Sequence, residues 1–582
     1  MAVEAESPPP RREEPVFKNP DDGGEKHGEK RGSTEGSITT ADETVVASGK
    51  TTPTRSKAQT MILMLALCMA VFLAALDAVI ITTALPTISR EVGASDSGFA
   101  WIGAAYLLAN AASVPFWGKV SDIFGRKPIL VIANVVFMVG SLAGALARTL
   151  TTLVAGRAVQ GLGGGGLMAL VNIVLGDLFS PRERGAYFGM IGAVWGLASG
   201  IGPLIGGGLT ENISWRWCFW INLPISGLSL LILVFFLKIH TPKTPLVRGL
   251  MAIDWLGTVV FTGATMMLLL GLQFGGVRDP WGSPTVVCLI VFGCLGFAVF
   301  ALVERFAARY PLMPRSLFGH RSVVFCYAAC FFHGLGFAAV AFFLPVYFQT
   351  VLGAGPIESG VWLLATALPL AVCTMAVGVG IRKTGRYNEI IRAAMAVTIV
   401  AFGLFTTFPA RRDMVRLVLF QIVAAVGISP NLQALLIALQ AIVKPGDVAA
   451  GTATFAFVRH VAIAVGVVAG QVLFQSEMGR RAGELAAAGT ITQEVAARLG
   501  EGGSIALVKA LGPEERGVVA EAVAGALSKV WILFCAASGA GLVVSFGIRG
   551  VVLSGTHEVT RTGLEAEEEK VGRGKVNERE EV

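Results

Sequence analysis

The feature that most constrains this chain is a series of apolar runs, each near the roughly 20 residues that a helix needs to cross a bilayer. Fourteen runs can be delimited, at about 61–85, 100–118, 129–148, 152–175, 186–209, 217–237, 253–274, 284–303, 322–349, 358–380, 390–409, 415–440, 448–475 and 530–551. Inside lipid such a segment must form its backbone hydrogen bonds internally, which favours helices. The sequence therefore predicts an all-α integral membrane protein with 14 transmembrane helices.

Charge supports this fold class and indicates its orientation. Only 15% of the residues are charged, against about 25% in a typical soluble domain. The net charge is +7, but the cations cluster in short loops between apolar runs rather than over one face, which argues against a nucleic-acid partner. Arg and Lys are concentrated in alternate loops, which marks those loops as cytoplasmic. With an even number of spans, we expect both termini in the cytoplasm.

The segments outside the apolar runs are polar. Residues 1–57 and 556–582 bury too little apolar surface to offset their ordering entropy, so we expect disordered cytoplasmic tails. No apolar signal-peptide core precedes the first run, so that helix is expected to direct insertion itself. Residues 478–528 are rich in alanine, and we expect a long outer loop with one or two amphipathic helices.

One acid lies deep in an apolar run. Asp77 falls inside the first run, where an ionised side chain costs about 2.5–3.5 kcal/mol and therefore suggests a function. At about 1.5 Å per residue, Asp77 lies about 13 Å below Pro86, and Arg157 lies about 10 Å below Leu150 on the fourth run. An acid that releases its proton as an arginine approaches can act as a proton switch. The alternatives are a packing role for Asp77 and extension of Arg157 to the interface.

Polar residues also interrupt the runs of the second half. His333, Gln433 and Arg459 lie on the ninth, twelfth and thirteenth runs, and such groups face the protein interior rather than lipid. They are candidates for a substrate path, and His333 is a second candidate for proton coupling because histidine titrates near neutral pH. Interhelical hydrogen bonds are the alternative for each.

Residues typical of enzymes or metal sites do not cluster. No group of His, Asp or Glu gathers at one membrane face, and the cysteines form no Cys-x-x-Cys pair. The run Gly161–Gly166 matches a nucleotide-binding glycine pattern only formally, because it lies within a membrane helix, where glycines favour close packing. The sequence predicts no catalytic residue, no metal site and no enzyme.

Short motifs in the first half resemble the major facilitator superfamily, and in particular its fourteen-span drug:proton antiporters of fungal type. The loop motif is Gly118-Lys119-Val120-Ser121-Asp122-Ile123-Phe124-Gly125-Arg126-Lys127, the fourth-helix motif is Arg157-Ala158-Val159-Gln160-Gly161, and the antiporter motif of the fifth helix is Gly202-Pro203-x-x-Gly206-Gly207. Leu76-Asp77 with Ala84-Leu85-Pro86, Ile221-Asn222-x-Pro224 and Asp254-Trp255-Leu256-Gly257 are similar to the drug:proton branch. One departure is His460-Val461-Ala462-Ile463-Ala464, where this family often has a glycine-rich run.

The resemblance implies a major facilitator fold of two six-helix bundles, 58–240 and 311–555, with two further transmembrane helices inserted at 241–310. The bundles would rock about a midplane site in alternating access. The resemblance assigns proton coupling to Asp77 and Arg157. It assigns a conformational latch to Gly118, Asp122, Gly125, Arg126 and Lys127, and control of substrate leak to the fifth-helix motif.

The expected function is that of a proton-coupled antiporter which exports small amphipathic organic compounds, such as drugs, toxins or secondary metabolites. We expect a plasma-membrane monomer that needs no cofactor because the proton gradient drives it, with the small-molecule substrate, protons and the lipid bilayer as its partners. A siderophore-iron transporter or a vacuolar basic amino acid transporter of the same fold is the alternative. Since Asp77 is the one acid deep in a run, the sequence favours neutral or mixed cargo over cations. A non-transporting receptor would call for a large soluble domain, of which the sequence gives no sign.

Asn212-Ile213-Ser214 is a glycosylation sequon in a predicted outer loop. Because Asn212 follows the fifth apolar run directly, we expect the membrane to keep it from the glycosylation machinery. Asn212→Gln should therefore leave the electrophoretic mobility of the protein unchanged, and glycosidase treatment of the wild type is the control. A faster-migrating variant would show that the sequon is used.

Overall fold

Long helices account for most of the architecture. The computed structural model describes residues 56–92, 96–239, 241–276, 278–500, 508, 511–556 and 562–570. The long helices within these residues are α1 (Lys57–Glu91), α2 (Asp96–Phe124), α3 (Arg126–Ala145), α4 (Leu150–Leu178), α5 (Pro181–Asn212), α6 (Asn222–Phe236), α7 (Trp255–Phe274), α8 (Pro284–Phe306), α9 (Arg321–Thr350), α10 (Pro356–Thr384), α11 (Asn388–Phe405), α12 (Met414–Ile442), α13 (Val448–Ala487) and α14 (Pro513–Ser545). The described part of the chain contains no β-strand beyond one isolated bridge, Gly275 to Asp279. The predicted all-α class is confirmed.

Most of these helices are long and apolar enough to cross a membrane. By length and composition, 13 of the described helices meet this requirement. The helix α2, which corresponds to the second predicted span, is not among them. The count of 14 spans and the cytoplasmic position of the termini stay predictions.

Local hydrogen bonds explain several helix ends. Ser56 and Gln59 form a reciprocal capping box at the start of α1, which satisfies donors that have no partner within the helix. The Asp254 carboxylate accepts a 2.9 Å hydrogen bond from Gly257 N at the start of α7. Gly385 closes α10 in the left-handed conformation with φ 69°, which glycine adopts without steric cost.

The first and second halves of the chain meet along α5 and α10. A Cβ atom on Gly189 would lie 2.9 Å from the Thr374 carbonyl oxygen, and one on Gly200 would lie 2.4 Å from the Ala367 Cβ. Both distances are shorter than van der Waals contact, so the two backbones approach closely only because these side chains are absent. The two helices therefore form a glycine seam, which is the residue set Gly185, Gly189, Gly192, Gly196 and Gly200 of α5 against α10.

A second contact between the halves joins α2 and α13. A Cβ atom on Gly118 would lie 2.9 Å from the Ala453 Cβ. Gly125, seven residues further on, has φ 94° and precedes α3 directly, so the turn between α2 and α3 uses the conformational freedom of glycine. The end of α2 that carries the charged loop is thus packed against the second half.

Residues 564–570 are helical and dock beside this same end of α2. Glu567 forms a buried ion pair with Lys119, with 2.5 Å between Nζ and Oε2. Gly563 N donates to the Asp122 carbonyl oxygen at 2.8 Å. The sequence prediction placed this stretch in a disordered tail on composition alone. The structure differs from this prediction because Glu567 of the segment supplies the carboxylate that pairs with the buried ammonium group of Lys119. The predicted tail at 1–57 lies outside the described residues except for Ser56 and Lys57.

The predicted outer loop at 478–528 contains more helix than expected. The helix α13 continues to Ala487, a short helix spans Gln493–Gly500, and α14 already begins at Pro513. Ala496 and Leu499 of the short helix are buried against the rest of the protein. The apolar face of this predicted amphipathic helix explains why it packs down rather than extending into solvent.

We expect the Glu567–Lys119 ion pair to hold the C-terminal segment in place. Glu567→Gln should speed amide hydrogen exchange of residues 564–570 by about tenfold or more at neutral pH, because Lys119 would keep a buried charge without its carboxylate. Exchange measured by mass spectrometry tests this, with the exposed Glu565 on the same segment changed to Gln as the matched control. Equal exchange in Glu567→Gln and the wild type would contradict the role of the ion pair.

The same contact has a defined pH dependence. Burial alone would raise the pKa of Glu567, but the charges of Lys119 and Lys570 lower this pKa to about 2. A lowered pKa contributes stability that is present above the unfolded value of about 4.3 and is lost as the pH falls toward the folded value. Protection of the segment, corrected for intrinsic exchange, should therefore persist through pH values near 4 and weaken only below them.

Candidate functional site

The two charged residues predicted to couple protons lie side by side. Asp77 of α1 is fully buried, and Arg157 of α4 is 1% exposed. Arg157 Nη1 donates to Asp77 Oδ2 in a close ion pair. The helical-rise argument predicted matching depths, and the structure brings the two side chains into direct contact.

The carboxylate of Asp77 has two further donors from other helices. Gln160 Nε2 donates to Oδ1 at 2.7 Å, and Asn222 Nδ2 donates to the same oxygen at 3.0 Å. Gln160 also donates to the Ser141 hydroxyl at 2.9 Å and accepts from Arg157 Nη1 at 2.8 Å. Residues of α1, α3, α4 and α6 thus form one polar network inside the first half. We call Asp77, Ser141, Arg157, Gln160 and Asn222 the carboxylate network.

Sequence analysis named the motifs that contain Gln160 and Asn222 but did not assign either residue to the site. A signal for Gln160 was present, since it follows Arg157 by three residues and therefore lies on the same helical face. Asn222 and Ser141 gave only the weaker signal of a polar residue within an apolar run. Their convergence on one carboxylate depends on tertiary packing.

The guanidinium of Arg157 is held from its other side. Its Cζ lies 4.4 Å from the Tyr106 ring centroid, a cation–π contact, and its Nε donates to the Ile102 carbonyl oxygen at 3.2 Å. Tyr106 donates in turn to the Ala74 carbonyl oxygen at 2.8 Å. Arg157 therefore has contacts of its own besides the ion pair with Asp77.

The predicted latch surrounds Arg126. This residue is 1% exposed and pairs with Asp122 Oδ1 and with Asp177 Oδ2, each at 2.7 Å. Asp177, near the end of α4, was not identified from sequence. Lys127 is half-buried and donates to the Val234 carbonyl oxygen at 2.7 Å. Arg126 therefore joins the ends of α2, α3 and α4, while Lys127 stays outside that cluster.

The glycine-rich motif of α5 contacts both halves. A Cβ atom on Gly202 would lie 2.4 Å from Val79 Cγ2 of α1, two residues after Asp77. The Cβ of Pro203 lies close to Gly360 of α10, 3.8 Å from where a Cβ on that glycine would be. Gly206 is buried, and Gly207 has Ile357 of α10 as its nearest neighbour. This motif therefore lies between the helix that carries Asp77 and the opposite half.

The second-half candidates lie inside their helices, at least eleven residues from the first residue of each. His333 Nε2 lies 2.9 Å from the Ile428 carbonyl oxygen, and Arg459 Nη2 donates to the Leu432 carbonyl oxygen at 2.6 Å. The amide of Gln433 reaches across to α5, where its Nε2 lies 3.3 Å from a Cβ built on Gly192. The three side chains thus belong to the second half, and Gln433 faces the first.

The remaining predicted features are peripheral. Asn212 is the last residue of α5 and is exposed, with its Nδ2 bonded to the Gly208 carbonyl oxygen at 2.8 Å. Within the described ranges no group of three or more His, Cys, Asp or Glu residues lies together in a way that could hold a metal ion.

Comparison with known proteins decides the family. The profile of the Major Facilitator Superfamily matches residues 67–467. The efflux pump dotC of Dothistroma septosporum is 46% identical over 506 residues, which cover 87% of each chain. The MFS-type transporter ppz2 of Metarhizium majus is 44% identical over 88% of this chain and 89% of its own. The chain belongs to the major facilitator superfamily.

A solved structure agrees with this assignment. The proton:xylose symporter XylE aligns with a TM-score of 0.51 at 16% identity, over 89% of this chain and 100% of its own. A likeness at this identity shows the fold alone. The family prediction is confirmed, and this major facilitator protein is a multi-span membrane transport protein whose relatives are named as fungal efflux pumps and MFS-type transporters.

The latch of this transporter yields a direct test. Arg126→Ala would leave Asp122 and Asp177 buried without their shared cation, and breaking a buried pair in this way costs about 3–5 kcal/mol. We expect a clearly lower unfolding temperature and slower transport per molecule. Lys127→Ala is the matched control, because its ammonium group has only the exposed carbonyl contact. Similar unfolding temperatures and rates for the two variants would show that Arg126 does not act as a latch.

Proposed function

We propose that this transporter is a proton-coupled antiporter that exports small amphipathic organic compounds across the plasma membrane by alternating access. The observation that carries the proposal is the buried carboxylate network. A carboxyl group that is fully enclosed, paired with one arginine and bonded to two amides exists in two states, ionised with its partner close or neutral with its partner released.

The network is suited to taking up and releasing one proton in each cycle. When Asp77 is ionised, Arg157 compensates its charge and Gln160 and Asn222 fill its lone pairs. When Asp77 binds a proton, the attraction to Arg157 falls and the arginine retains its contacts with Tyr106 and Ile102. Because Asp77 has no exposed surface in this conformation, proton exchange requires a conformational change, which is what couples protons to transport.

A short path connects Asp77 with the moving interface. Val79 lies on the same helix two residues further on and touches Gly202 of α5. The glycine seam of α5 then lies directly against α10 of the other half. A shift of α1 on protonation therefore acts on the helix that joins the halves, which is the element that has to move in alternating access.

Contacts between the halves lie at the end of α2 that carries the charged loop. They are the contact of Gly118 with Ala453 and the bonds from Arg182 to the Arg382 and Lys383 carbonyl oxygens. The cluster of Arg126 with Asp122 and Asp177 lies at the same end but within the first half. Arg and Lys favour the cytoplasmic side, so in this proposal the contacts between the halves close the cytoplasmic entrance and have to break when it opens.

The export direction, the monomeric state and the membrane in this proposal rest on observations other than the carboxylate network. A relative that covers 87% of this chain is named an efflux pump, which favours export. The glycine-rich α5 motif resembles that of antiporters. All residues of the carboxylate network come from one chain, so a monomer is sufficient. Export from the cell places the protein in the plasma membrane.

Asp77→Asn tests the proton-coupling proposal. In vesicles with an imposed pH gradient, we expect wild-type protein to move several unrelated amphipathic dyes uphill and the variant to lose at least nine-tenths of that movement. The amide keeps the shape of the side chain but carries no titratable proton. Exchange of dye down its own gradient should survive, which would show that the variant is folded.

Glu91→Gln is the matched control, since Glu91 lies on the same helix but is exposed and pairs with Arg216 at its surface. Uphill movement retained in Asp77→Asn would overturn the coupling role of Asp77. Absence of dye movement in folded wild-type protein would favour a dedicated transporter of the same fold, such as a siderophore or vacuolar amino acid carrier.

A further inference from the structure

The second half holds an arginine deep within the helices, Arg459, for which no acid among the described residues is a partner. Arg459 lies eleven residues after Val448, the first residue of α13, which places it about 16 Å along the helix. Unlike Arg157 and Arg126, it forms no ion pair with any carboxylate among the described residues. A cation at this depth is costly unless it is compensated.

The contacts of Arg459 leave part of its hydrogen-bonding capacity unused. Nη2 donates to the Leu432 carbonyl oxygen at 2.6 Å, and Cζ lies 4.9 Å from the Phe455 ring centroid. The Nε atom is buried and has no hydrogen-bond partner in the described structure. A carbonyl oxygen and a phenyl ring orient the guanidinium, but neither neutralises its charge.

Neighbouring polar groups are also unsatisfied. His333 is 4% exposed with Nδ1 unbonded, and Gln433 is 9% exposed with Oε1 unbonded, among the residues described. Gln433 reaches across the interface to Gly192 of α5. Buried polar groups without partners are rare in protein interiors, and a bound polar group is one way to satisfy a set of them that lies together.

Aromatic rings border the same region. Phe337 of α9 lies one helical turn from His333, and its ring centroid is 5.1 Å from that of Trp195 on α5. Phe337 packs against the cluster of Leu370, Ala425 and Leu432, and the carbonyl oxygen of Leu432 accepts the hydrogen bond of Arg459. The region therefore combines a cation, unsatisfied polar atoms and flat apolar walls contributed by both halves, near the middle of the membrane helices.

We propose that Arg459 forms the anion-recognising part of the substrate site, so that the cargo of this transporter is an amphipathic aromatic anion. The carboxylate, phenolate or sulfonate of the cargo would pair with the guanidinium, and its ring system would lie against Trp195 and Phe337. This inference rests on the proposed export function and narrows its cargo from neutral or mixed compounds to anions.

Binding to the purified full-length protein in lipid nanodiscs tests the proposal, with empty nanodiscs subtracted. Fluorescein, an anion, and rhodamine 123, a cation, share a xanthene skeleton and differ mainly in charge. We expect the wild type to bind fluorescein at least about tenfold more tightly than rhodamine 123. In Arg459→Gln this preference should vanish, while Arg459→Lys should retain part of it.

Arg392→Gln is the matched control. Arg392 also lies on a helix of the second half. Like Arg459, it stacks on a phenyl ring, with its Cζ 4.7 Å from the Phe546 ring centroid, and its Nε has no hydrogen-bond partner within the described structure. It differs from Arg459 because it lies within the first turns of α11. Its substitution should leave the preference for fluorescein unchanged. Equal affinities for the two dyes in the wild type, binding of neither dye, or an undiminished preference in Arg459→Gln would overturn the proposal.

A second measurement does not depend on the variant reaching the membrane. Phenylglyoxal modifies accessible arginines, and mass spectrometry should show that fluorescein protects Arg459 of the wild type while rhodamine 123 does not. Both measurements are made without a proton gradient. Charge-selective binding without uphill transport would refute the proposed antiport and leave the anion site in place. Uphill transport without charge-selective binding would refute the anion site and leave the antiport in place.

Discussion

A charge enclosed between membrane-spanning helices has no water to solvate it, and the arrangement of this transporter follows from that constraint. Asp77 is matched by Arg157, Arg126 by two carboxylates, and Lys119 by Glu567. Each pair joins different helices or different ends of the chain, so compensation of charge also sets which elements must meet. Arg459 departs from this pattern, since no carboxylate of the described residues pairs with it, and we propose that the cargo supplies the partner.

Mobility has a different physical origin from charge compensation. The two halves meet along the glycine seam, where α5 presents a surface without side chains to the backbone and side chains of α10. Such a surface offers few obstacles to a small rotation of one helix against its neighbour, whereas a seam of branched side chains would hold it in one register. We propose that the contacts between the halves at the end of α2 decide which of the available positions is occupied. In this view, the contacts at the end of α2 set which conformation is stable, and the glycine seam sets how easily the halves move between conformations.

Sequence reasoning predicted the helices well because length and hydropathy are local properties. It also placed Asp77 and Arg157 at matching depths, since helical rise converts residue number into distance. It did not find Asp177 beside Arg126, or Asn222 beside Asp77, because nothing local says which face of one helix meets another. Likewise, the spacing of glycines on α5 indicated close packing without indicating that α10 would be the partner. Composition predicted disorder after residue 556 and gave no sign that a buried lysine 448 residues earlier would recruit Glu567.

The docked segment has a consequence for the order in which the protein folds. Lys119 lies near the end of the second helix, and Glu567 follows it 448 residues later in the chain. Their ion pair cannot form until the membrane helices between them have been synthesised, and the ammonium group of Lys119 has to stay hydrated or find a temporary partner until then. The packing around the end of α2 is therefore completed late, after both halves of the chain have been made.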